Sequence, residues 1–276
     1  MAVKYLAGDR LIGTAAERIA LTALDGNTAI PDTSLKAYWK FVNSSTPVPN
    51  ASTSSATLGT SADAIITSMT FGTTSPFSTE GVFDGSNDKL TIGSSTSQFN
   101  FMHNSSASWT VCFWMKENLN QADGGILSTS DAAWVSQNVG INIVTVGTGG
   151  RIRINVNAGT AQGDVGYLLT ANGFIPDTGW HFYSVTYDHS LGSNNFKLRI
   201  DNGSLQQATK GSESPSSGNA AQIATVGVHT GSNGHLGGSV TEMSVWDRIL
   251  TDSEITTLYN SGDGAAIYSS ASLRSE

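Results

Sequence analysis

Apolar and polar residues alternate with a period of two along much of the chain. In Arg151-Ile-Arg-Ile-Asn-Val156 the isoleucines and the valine fall on one side, and Arg151, Arg153 and Asn155 on the other. Phe196-Lys-Leu-Arg-Ile200 repeats the arrangement with Lys197 and Arg199 outward. This is the period of half-buried antiparallel strands. Strand signals bounded by turn residues recur at 35–41, 81–83, 89–92, 109–115, 125–128, 139–146, 151–156, 180–187, 196–200, 223–228 and 240–246. Asp201-Asn202-Gly203 suits a hairpin turn, because Asn and Gly tolerate positive φ. Thr251-Asp-Ser-Glu254 is a capping box ahead of Ile255, Leu258 and Tyr259, with Gly262 as the stop, so it predicts a short late helix. Thr14-Ala-Ala-Glu17 has the same spacing and predicts a helix over 15–23, although Ile19, Leu21 and Leu24 make no helical stripe. The small polar stretch 44–62 reads as a surface loop. The pattern as a whole is all-β. It divides into an N-terminal arm or docking segment (1–30), one domain (31–262) and a polar C-terminal tail (263–276), with no internal repeat.

Composition narrows the function classes. The 276 residues include 14 Lys and Arg against 22 Asp and Glu, a net charge of −8. Charged residues are only 13%, which argues against a coiled coil or a charged disordered tail. The basic residues are scattered in an acidic chain, so a nucleic-acid partner is not expected. No window has the ~18 unbroken apolar residues of a membrane helix. The N-terminus begins with Met and lacks the apolar core of a secretory signal. Cys112, the single cysteine, lies in an apolar run with no basic partner nearby and reads as a buried, inert thiol.

Candidate chemistry is sparse. Trp134, in Ser130-Asp-Ala-Ala-Trp-Val-Ser-Gln-Asn138, and Tyr167, in the Gly-rich stretch 159–173, are assigned to loops. An aromatic beside Asp, Gln and Asn suits a sugar, whose C–H face stacks on a ring and whose hydroxyls need planar polar partners. Trp134, Gln137 and Tyr167 are the candidate glycan contacts; the competing reading of Trp134 is a lid on the core. Asp84, Asn87 and Asp88 are close enough to place oxygens around one calcium ion, or else to bond the amides of their own turn. Arg151, Arg153, Lys197 and Arg199 would form a basic stripe if their strands were neighbours, facing either an anionic glycan or solvent. His181 reads as a structural ring, and the five histidines have no zinc spacing. Neither a G-x-S-x-G elbow, an H-E-x-x-H motif nor a P-loop is present. Glu242 stands without the second carboxylate that glycoside cleavage needs. The chain is therefore read as non-enzymatic.

Several motifs resemble one family. Gly81-Val-Phe-Asp-Gly-Ser-Asn-Asp-Lys-Leu-Thr-Ile92, Trp109-Thr-Val-Cys-Phe-Trp-Met-Lys116, Gly179-Trp-His-Phe-Tyr-Ser-Val-Thr-Tyr-Asp188, Phe196–Gly203 and Val245-Trp-Asp-Arg-Ile-Leu250 with its following helix resemble, in family order, the laminin-G-like, concanavalin A-like jelly rolls. The resemblance implies a sandwich of two antiparallel sheets, one of them concave. Family members are mostly adhesion, lectin-like or structural modules, and some relatives cleave glycans. The last strand of the family often carries an Asp where this chain has Thr241, which counts against the calcium that many relatives bind; no other cofactor is implied. Residues 1–18 lie outside the family and look similar to leaders of marine viral and uncultured microbial proteins carrying this domain. The resulting expectation is a virion surface or decoration protein with a lectin-like jelly roll, contacting host glycans. Tyr5, Leu6, Leu11 and Ile12 of the arm would dock on other virion or capsid proteins. The alternative is a cell-surface or secreted carbohydrate-binding or adhesion module. No membrane insertion is expected, and a symmetric homo-oligomer is compatible with either reading.

Overall fold

A computed structural model describes residues 33–42, 46–77, 79–118, 123–131, 138–157, 165–211, 216–229, 234–262 and 264. The docking residues Tyr5, Leu6, Leu11 and Ile12, the helix expected over 15–23, and Trp134 and Gln137 lie outside the described residues, as does the tail apart from Gly264. Strands follow one another as β1 (Leu35–Trp39), β2 (Ala64–Thr67), β3 (Thr70–Gly72), β4 (Glu80–Asp84), β5 (Lys89–Ile92), β6 (Ser108–Glu117), β7 (Gly125–Ser128), β8 (Gly140–Val146) and β9 (Arg151–Asn157). They continue as β10 (Val165–Leu169), β11 (His181–Asp188), β12 (Phe196–Ile200), β13 (Gln206–Ala208), β14 (Thr225–Val226), β15 (Val228–His229), β16 (Gly234–His235) and β17 (Gly237–Trp246), and the helix α1 (Asp252–Tyr259) closes the domain.

Two antiparallel sheets result. Sheet A runs β13-β12-β11-β6-β17-β4-β3, with β1 also on β17; sheet B runs β10-β9-β8-β7-β14-β5-β2. A two-stranded ribbon, β15–β16, stands apart. The alternation read along the chain sets the core between the sheets. Trp109, Val111, Phe113 and Met115 of β6 meet Ile141 and Ile143 of β8 and Ile152, Ile154 and Val156 of β9 in one cluster. Phe113 stacks on Tyr183, centroids 5.1 Å apart.

The opposite face of sheet A is buried as well. Cys112 and Trp114 of β6, Phe182 of β11 and Trp246 of β17 form a second cluster with Ile255 and Leu258 of α1. The capping box is formed, with the Thr251 side chain accepting from the Glu254 amide and Glu254 reaching back. Arg248 fastens this helix by two bonds to the Glu254 carboxylate, 2.7 and 2.9 Å, and its Nε donates to the Thr33 carbonyl. These bonds and the Thr251 amide pull the Glu254 carboxyl down to about 2. Cys112 is buried, and burial pushes its thiol far up.

Four expectations need correction. Tyr167 lies on strand β10 and not in a loop; its Gly-rich neighbourhood hid a five-residue edge strand. The basic stripe does not exist, because Arg151 and Arg153 lie on β9 in sheet B while Lys197 and Arg199 lie on β12 in sheet A. Arg153 and Asn155, expected on a solvated face, are buried. The expected surface loop is packed over its described residues 46–62: Val48 pairs with Ala64, and Asn50, which begins an N-x-S pattern, is a hub that takes the Tyr38 amide on Oδ1 (2.9 Å). No helix among the described residues is long and apolar enough to cross a membrane.

Candidate functional site

The outward face of sheet B carries a polar row. Pairing places Thr225 beside Ser128, Ser128 beside Asn142, Asn142 beside Asn155, and Asn155 beside Tyr167. Residues alternating with these along the same strands (Ile141, Ile143, Ile154, Val156) belong to the core, so the row points away from it. Its centre is closed from solvent. Part of the cover is the β15–β16 ribbon, which crosses at Gly125; a Cβ there would overlap the Val228 backbone. At the edge Tyr167 is 50% exposed, directly across from Asn155, which is 1% exposed.

Hydrogen bonds organise this floor. With its amide oriented by the surrounding network, Asn142 donates to the Ser130 carbonyl (2.9 Å) and to Ser128 Oγ (3.2 Å). Asn157 Nδ2 donates to Ser130 Oγ (3.2 Å), which donates to the Asn138 carbonyl (2.7 Å); Asn138 in turn donates to the Asp131 carboxylate. The base of the 132–137 connection is thus tied to β9. Asn155 Oδ1 and Asn157 Oδ1 are buried acceptors with no hydrogen-bond partner. A buried unfilled acceptor costs about 1–3 kcal/mol, a penalty that a ligand hydroxyl relieves. Both oxygens are closed from solvent, so a ligand hydroxyl reaches them only where the cover over the row opens beside the half-exposed Tyr167 ring. Sequence reasoning found Tyr167 but not Asn155 or Asn157; the alternation of β9 marks them only once the outward face is known to be covered.

The other candidates fall elsewhere. Asp84 Oδ1 accepts from the Ser86 and Asn87 amides (2.8 and 3.3 Å), and Asp88 Oδ2 from the Asp84 amide (2.8 Å). Burial raises the Asp88 carboxyl. Both acids thus serve their own turn. Among the described residues, no three His, Cys, Asp or Glu side chains converge as metal ligands. His181 is held between Asp201 (Nδ1, 2.8 Å) and Asp177 (Nε2, 3.1 Å), which fixes the ring in place.

Glu242 faces the outside of sheet A, where the Tyr38 hydroxyl donates to its carboxylate. Its small cavity is otherwise lined by Cys112, Trp114, Phe182, Ser244 and Leu258, none of them an acid. Burial pushes the Glu242 carboxyl up to about 8. Glu117 points between the sheets near Thr145, and burial raises it to about 7.

The sandwich is that of a concanavalin A-like jelly roll. The chain belongs to the concanavalin A-like lectin/glucanases superfamily, whose model matches residues 84–256. Solved structures with a similar fold include the binding domain of botulinum neurotoxin DC in complex with SialylT (TM-score 0.57, 14% identity, covering 83% of this chain and 52% of that one). Two others are the botulinum neurotoxin serotype D ligand-binding domain in complex with N-acetylneuraminic acid (0.57, 15%, 84% and 52%) and the binding domain of Paraclostridial Mosquitocidal Protein 1 (0.61, 14%, 83% and 52%). The chain spans about half the length of each, and at this identity the likeness is one of fold. No curated protein sequence matches the chain.

Proposed function

We propose that the protein is a non-enzymatic, lectin-like module that binds glycans at the β9–β10 edge of sheet B. The observation that carries this reading is the half-exposed Tyr167 ring beside the unfilled carbonyl oxygens of Asn155 and Asn157. The ring stacks on a sugar face and the amides take its hydroxyls. Trp134 and Gln137, in the sequence between β7 and β8, are proposed as further contacts. The similar structures, binding domains that include a complex with N-acetylneuraminic acid, support a binding role over a hydrolytic one. The test is a glycan array with wild type and Tyr167→Ala, run with calcium and again with chelator. Retained fold with at least tenfold weaker binding in the variant is expected. Equal binding by both proteins would refute the site. Loss of binding in chelator alone would show that calcium is needed, and Asp84, Asn87 and Asp88 would be the residues to substitute next.

The setting proposed is the virion surface, with residues 1–30 as the docking arm; the likeness of residues 1–18 to viral leaders supports it. Removal of 1–30 is expected to abolish association with purified particles, and unchanged association would favour the cell-surface or secreted alternative.

A further inference from the structure

A second cavity lies on the opposite face of the molecule. On the outside of sheet A, Ser184 pairs with Arg199 and Thr186 with Lys197 across β11 and β12. Phe196 and Leu198 belong to the core, so Lys197 and Arg199 point outward together. Directly paired side chains have Cβ atoms roughly 5 Å apart, which makes a compact square of two hydroxyls and two cations. The square floors a cavity of about 40 Å³, walled by Leu205, Ile249, Leu250 and Ile255 and reached by Asp252 at the start of α1. A water needs ~10–15 Å³ measured this way, so the space holds about three waters. It is the size of one oxyanion and too small for a sugar ring.

The groups are unevenly satisfied. Arg199 Nη2 meets Asp252 Oδ2 at 3.0 Å, and the Asp252 side chain is 78% exposed. Among the described residues, the Ser184 and Thr186 hydroxyls have no hydrogen-bond partner and Lys197 has no ion-pair partner, although Ser184 and Thr186 are nearly buried as residues. Two unpaired hydroxyls that open on the cavity beside a cation without an ion-pair partner are the parts of an anion site. Asp252 places a solvent-exposed carboxylate at one edge of the cavity, where it holds the Arg199 guanidinium.

We propose that Ser184, Thr186, Lys197 and Arg199 bind a single tetrahedral oxyanion, a sulfate or phosphate group, with Asp252 competing for the same guanidinium. The anion is either free or carried on a larger molecule, and the two sources are distinguished by probe. Inorganic sulfate and a sulfated disaccharide are each titrated into the full chain, followed by amide chemical shifts of β11 and β12. Sulfate is expected to shift residues 184–186 and 197–199. Lys197→Gln and Ser184→Ala should each weaken binding at least about tenfold, the loss of one charge-assisted contact. Asp252→Asn should tighten it several-fold, an outcome that misfolding cannot imitate. Tighter binding of the disaccharide than of inorganic sulfate identifies a carried group; equal affinity identifies a free ion. Absence of shifts with both probes, or an Asp252→Asn variant no tighter than wild type, overturns the proposal. The Tyr167→Ala variant should bind sulfate as wild type does, which separates this site from the glycan edge.

Discussion

At Glu242 the backbone takes φ 48° inside a strand, the carboxyl is buried at 8% exposure, and its hydrogen-bond donor is the neutral Tyr38 hydroxyl. Positive φ at a non-glycine residue costs about 1 kcal/mol or more, and burial of the charged form costs further. The native state therefore holds this proton up to about pH 8, whereas the unfolded chain releases it near 4.5. Between those values the native state binds more protons, so stability falls as pH rises and stays low above 8. Glu117 adds a slope of the same sign up to about 7. Glu242→Gln should remove its share, a gain of about 1–3 kcal/mol at pH 9 over wild type with little change near pH 4, read as Tm against pH. A gain of equal size at both pH values would show that titration is not the cause. The acid was visible in the sequence as an isolated carboxylate. Its environment was not, because Tyr38 and Glu242 are brought together only by the pairing of β1 with β17.

The bulge that strains Glu242 has a use at the level of elements. β17 pairs with β4 through Val240 and with β1 from Met243 onward, and the register against β6 shifts between Thr241 and Ser244. A bulge re-aims a strand, here where it changes partner. Much of the strand pattern was legible: β5, β7 and β12 fall on the expected residues, β6, β9 and β17 extend one to three residues beyond them, and β11 is displaced by one. β3, β10 and β13 were not: three positions give no period in β3 and β13, and β10 lies in a Gly-rich stretch. The β15–β16 ribbon was hidden for another reason, being held by packing against Gly125 and not by its own pattern. Gly125→Ala should displace that ribbon and cost about 1–3 kcal/mol, because backbone and not a flexible side chain occupies the space. Chemical denaturation checks it, and a cost below about 0.5 kcal/mol would mean that the ribbon adapts.

Taken whole, the molecule keeps two cores back to back, one between the sheets and one under α1. The family resemblance in the sequence implied the first, and the capping box announced the helix. The second was obscured because β6 is apolar on both faces, which erases the alternation that would name a face. Leu258→Ala in the second core should lower stability by about 2–4 kcal/mol. It should leave affinity at Tyr167 unchanged, since that ring belongs to the other sheet; a linked loss of binding would join the two faces energetically.

The bond from Arg248 to the Thr33 carbonyl fixes more than the start of β1. At the other end, Gly264 donates its amide to the Tyr259 carbonyl at the close of α1. Chain entering and leaving the domain is thus fastened on the sheet A side, behind the surface that bears Tyr167. The sandwich has a back and a front. Copies tethered by either terminus to a common support would turn the same face outward, and a crowd of individually weak grips would act together.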